Sequence, residues 1–119
     1  MEIRYEVETG WPSSLELCRR VAAYGRLDRV LGFKVGISCN PEGRAALYKH
    51  QDPHYKEMVV LYKTSSDSVV RDVERDLTIW FKGDAECDNV NIGGGGPKGS
   101  APFYLYVVLR ERINKPSEA

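Results

Sequence analysis

The run Gly93-Gly94-Gly95-Gly96-Pro97-Lys98-Gly99-Ser100 has the residue types of a phosphate cradle: glycines, a lysine and a hydroxyl. A phosphate loop needs glycine followed directly by lysine and then Ser or Thr, where a strand turns into a helix. Here Lys98 precedes Gly99 and a β-prone run follows, so the segment reads as a flexible loop beside a binding site or as a surface connection. Cys18, Cys39 and Cys87 are scattered, and with His50 and His54 they give no zinc-ligand spacing. Pro53 also spoils the helical i, i+4 geometry between the histidines. Reduced thiols are expected, and no cysteine or histidine forms a recognisable nucleophile–base pair. The segment Phe33-Lys34-Val35-Gly36-Ile37-Ser38-Cys39-Asn40-Pro41-Glu42-Gly43-Arg44 is more specific. Gly36 permits close backbone approach, Asn40-Pro41 caps and opens a helix, and Arg44 falls eight positions after Gly36 on that helix's first turn. A guanidinium there can hold a phosphate through two hydrogen bonds and stabilise charge that builds on it.

The elements that must position these groups follow from periodicity. The chain has 119 residues with 17 basic and 17 acidic side chains, a net charge of zero and 42% hydrophobic residues. That describes one globular domain able to bury a core, and the charge balance gives no basic excess for strong non-specific nucleic-acid binding. Arg19, Arg20, Arg26 and Arg29 are the candidates for a local basic patch. No apolar run is long enough to span a bilayer, and Glu2, Arg4, Glu6 and Glu8 interrupt any leader-like start, so a cytoplasmic location is expected. Ile3, Tyr5 and Val7 alternate with charges as a half-buried strand. A helix follows from Ser13 or Ser14 to about Gly25, with Leu27, Val30 and Leu31 read as a second short helical piece. Phe33, Val35 and Ile37 form strand two, residues 41–49 a short helix, and 58–62 a buried strand. Val69, Val70, Val73, Leu77 and Trp80 recur at helical spacing, and residues 103–109 are aromatic and β-branched, as in a central strand. The fold class is α/β (α+β): a small, mainly antiparallel sheet flanked by helices in a single domain, 1–119, with its core at 33–110 and a tail from 111.

The order of these motifs resembles the GIY-YIG nucleases. In that family a strand ends in a tyrosine-isoleucine-glycine motif, and one branch reads tyrosine-lysine-isoleucine-glycine; here Lys34-Val35-Gly36 stands in that place, with Arg44 where the family has its arginine. The resemblance implies that Glu74, on the third helix, binds a single Mg²⁺ or Mn²⁺. It further implies that Asn89 or Asn91, before the glycines, holds the site's geometry. The family's first motif, a glycine-isoleucine-tyrosine strand, is missing upstream. Phe103-Tyr104-Leu105-Tyr106-Val107-Val108-Leu109 resembles that strand instead, which implies a circular permutation and an antiparallel pairing of 103–109 with 33–38. Tyr104 and Tyr106 are two apart and share a sheet face, so either can be the active-site tyrosine; Tyr106 is the first choice. The implied activity is metal-dependent phosphodiester hydrolysis on DNA or RNA, with a catalytically silent binding module of the same fold as the alternative.

Overall fold

The computed structural model describes residues 1–89 and 99–112. Asn91, the run 93–98 and the tail beyond residue 112 lie outside the described residues.

Alternating apolar and charged side chains form β1 (Glu2–Glu8). Ser13 accepts a bond from the Glu16 amide at 3.1 Å and caps α1 (Ser14–Gly25). Next comes β2 (Val30–Ser38), then α2 (Pro41–Gln51), which Asn40 caps by accepting from the Gly43 amide at 3.2 Å. A cap by Ser66 on the Val69 amide then separates β3 (Tyr55–Thr64) from α3 (Asp67–Trp80), and the last strand is β4 (Phe103–Glu111). The second helical piece expected around 27–31 is replaced by a single turn. The Val30 amide bonds the Leu27 carbonyl at 2.9 Å, and Val30 then pairs with Glu111 as β2 begins. Sheet pairing at a β-branched residue outweighs the weak local helical spacing.

The sheet order is β1-β3-β4-β2, with β1 parallel to β3 and the other two pairings antiparallel. The pairing expected for residues 103–109 is present, running from Phe33 opposite Leu109 to Ser38 opposite Tyr104. As a central strand, β4 is apolar on both faces. One face packs under α1 and α3 around Leu17, Val21, Val70, Leu77, Leu105 and Val107. The other packs under α2 around Ala45, Tyr48, Met58, Val60, Tyr106 and Val108. Among the described residues no helix is long and apolar enough to cross a membrane.

Two arginines of the expected basic patch are engaged inside the fold. Arg20 pairs with Glu8 at 3.5 Å, and Arg29 pairs with Glu57 at 3.0 Å and Glu111 at 3.4 Å. Burial works to raise Glu57, but bonds from the Glu111 carboxyl and from Arg29 hold it below its ordinary range. Burial and the Glu57 carboxylate push Glu111 from 4.5 up to about 7. Folded Glu111 therefore keeps a proton that the unfolded chain loses, and its contribution is full below pH 4.5 and lost as pH rises through about 7. Thermal melts should show wild-type stability falling across that window relative to Glu111→Gln, whose amide cannot ionise. Parallel Tm profiles for the two proteins would contradict this.

Candidate active site

Gly36 lies directly opposite Tyr106 in the β2–β4 pairing. A Cβ at Gly36 would overlap the Tyr106 hydroxyl and ring, so the absent side chain is what lets this phenol lie across β2. There its hydroxyl meets that of Tyr48 at 2.8 Å, with the rings edge to face at 5.9 Å. Tyr48 comes from α2, four residues after Arg44, and both therefore occupy one side of the helix. Lys34, on the same sheet face, carries its Nζ 5.8 Å from the centre of the Tyr48 ring. Lys34, Arg44, Leu47, Tyr48 and Gln51 line a recess of about 110 Å³. Neither Lys34 nor Arg44 forms an ion pair among the described residues, whereas Arg4, Arg20, Arg29, Arg71, Arg75 and Arg110 all do. Two cations on a small recess with no carboxylate among its described lining residues favour an anion.

The two phenols are not equivalent. Burial raises both, and Tyr106 is driven far above the ordinary phenol range. At both, the charge of Arg44 opposes the effect of burial. Tyr48 is the phenol that lines the recess, and Tyr106 stands behind it.

Of the residues singled out from sequence, Lys34, Arg44 and Tyr106 come together here. Glu74 sits on α3, whose apolar side packs on the opposite face of the sheet; it is 7% exposed and does not line the recess. Its charge nonetheless reaches both phenols and raises them. Asn89 accepts from the Val35 amide and donates to the Val35 carbonyl, each at 2.9 Å. Phe33 bonds to Glu86 and Asp88, so the segment before Asn89 is joined to the β2 edge by an isolated parallel bridge between Cys87 and Phe33. Tyr104 shares Tyr106's face and packs beneath Lys63, whose Nζ is 5.8 Å from its ring. Sequence reasoning missed Tyr48. The available signal was its i, i+4 spacing from Arg44.

Among the described residues no group of three or more His, Cys, Asp or Glu side chains is placed to hold a metal ion. A divalent ion at Glu74 would have one protein carboxylate and would take its other ligands from water and phosphate, which hard oxygen-seeking cations such as Mg²⁺ accept. Compared with known protein families, with curated proteins and with solved structures, the chain matches none.

Proposed function

We propose that this chain is a GIY-YIG-like phosphodiester hydrolase whose β4 takes the place of the family's first-motif strand. The observation that carries this reading is the recess, where Lys34 and Arg44, neither in an ion pair among the described residues, stand over the Tyr48–Tyr106 pair beside Gly36. Arg44 presents its planar fork to two phosphate oxygens, and Lys34 adds a second positive charge. Tyr48 orients the attacking water through its hydroxyl, and Tyr106 fixes that hydroxyl from behind. Asn89 keeps β2, and with it Lys34 and Gly36, in register. Glu74 would hold a Mg²⁺ or Mn²⁺ ion, which supplies Lewis-acid stabilisation of charge on the phosphate. A silent binding module is the second reading, favoured by one fact: burial raises both phenols, so neither is a ready base at neutral pH.

End-labelled single-stranded and duplex DNA and RNA, incubated with the protein in Mg²⁺, Mn²⁺ or EDTA, decide between them. Cleavage that EDTA abolishes is the expected result. Binding without cleavage in either ion would establish the silent module, and neither binding nor cleavage would overturn both.

A further inference from the structure

A second hollow opens beside the last turn of α2. Met1, Glu2, Lys49, Pro53, Tyr55 and Lys56 line a cleft of about 370 Å³, within the size range of small-molecule sites. It borders the recess through aromatic contact, since the Tyr48 and Tyr55 rings are 5.3 Å apart. Tyr55 is held rigidly: its hydroxyl donates to Asp88 at 3.0 Å, and Arg110 grips both oxygens of that carboxylate, each at 3.0 Å. Lys49 and Lys56 form no ion pair among the described residues, and Glu2 lines the same cleft.

We infer that this cleft receives an unpaired base of the strand whose phosphate occupies the Lys34–Arg44 recess, with Tyr55 as the stacking platform and Lys49 and Lys56 on the flanking phosphates. The inference rests on the nucleic-acid reading above and adds the substrate class, a single-stranded or locally opened nucleic acid. Three features agree. The cleft combines an immobilised aromatic ring and apolar walls with two lysines that form no ion pair among the described residues, the pairing that single-strand binders use. A base within a duplex is stacked on its neighbours and cannot enter such a hollow without being extruded. The Lys34–Arg44 recess and the cleft adjoin through the Tyr48–Tyr55 ring contact, so one strand can reach both.

The test is fluorescence anisotropy with a labelled ten-nucleotide oligothymidylate and with a duplex of equal length, in EDTA to prevent cleavage. Wild type should bind the single strand more tightly than the duplex. Tyr55→Leu should weaken single-strand binding about 5- to 150-fold, the range found when a stacking aromatic is removed, while Tyr55→Phe keeps the ring and most of the affinity. Lys49→Gln with Lys56→Gln changes only surface charge; it should lower the slope of log affinity against log salt by about 0.7 for each phosphate that the lysines no longer neutralise. Duplex bound as tightly as single strand, or Tyr55→Leu and the lysine variant both binding like wild type, would overturn the inference while leaving the phosphate recess in place. A glutamate-rich competitor peptide that displaces the oligonucleotide as well as unlabelled oligothymidylate would also overturn it, because the cleft would then read charge alone. Failure of every oligonucleotide to bind would remove this inference and the proposed function together.

Discussion

Arg44→Lys is expected to slow single-turnover cleavage by about 100- to 1,000-fold, the effect of losing one well-placed donor to developing charge, while weakening oligonucleotide binding far less. The asymmetry follows from the recess. Lysine keeps the positive charge and Lys34 is untouched, so attraction of the strand to the site largely survives. What disappears is the fork, whose two parallel N–H groups match two oxygens of a phosphate as a single ammonium cannot. That match matters most when charge builds on those oxygens, so the loss should fall on the rate at saturating protein and not on the dissociation constant. The fold should not change, because Arg44 is exposed on α2 and its amide bonds the Asn40 carbonyl at 3.1 Å whichever side chain follows. Equal losses in rate and affinity would reduce Arg44 to a residue that only holds the strand. No effect on either would take it out of the site.

The parts of this arrangement that could be read from sequence are those with local causes. Asn40-Pro41 specifies the start of α2, and a cap acts within its own turn, so the position of Arg44 near the helix start followed directly. The aromatic and β-branched run of β4 announced a central strand, and its antiparallel pairing with β2, expected from the resemblance alone, is present. The parallel pairing of β1 with β3 was not legible, because nothing in an alternating pattern states which neighbour a strand will have. Tyr48 was missed for a related reason. Its importance arises from a contact with Tyr106 fifty-eight positions away, made possible by the bare backbone of Gly36 opposite. The fate of Arg20 and Arg29 was equally hidden, since their carboxylate partners come from other strands. The resemblance implies that Asn89 or Asn91 holds the site's geometry; Asn89 makes two bonds to Val35, and Asn91 lies outside the described residues.

Glu74→Gln should reduce Mg²⁺-dependent cleavage to the level seen in EDTA. The amide matches the carboxylate in size, so a residue 7% exposed on α3 can be replaced without leaving a void. A neutral amide lacks the charge that a hard divalent cation requires, and no group of three ligating side chains stands by among the described residues to compensate. The change also removes the negative charge that raises both phenols, so Tyr48 should become slightly more acidic even as the activity is lost. A spectrophotometric titration of the phenols in wild type and variant reports that shift in the absence of any substrate.

Metal-dependent hydrolysis requires Glu74 and the Arg44 recess to form one site even though α3 and α2 pack on opposite faces of the sheet. Paramagnetic broadening by Mn²⁺ in ¹H–¹⁵N spectra tests this directly, since the effect falls steeply with distance from the ion. Substoichiometric Mn²⁺ should broaden the amide signals of Gly36, Arg44, Tyr48 and Tyr106 in the wild type and leave them sharp in Glu74→Gln. Broadening confined to the exposed acids of α3, Asp67, Asp72 and Asp76, and identical in both proteins, would contradict it.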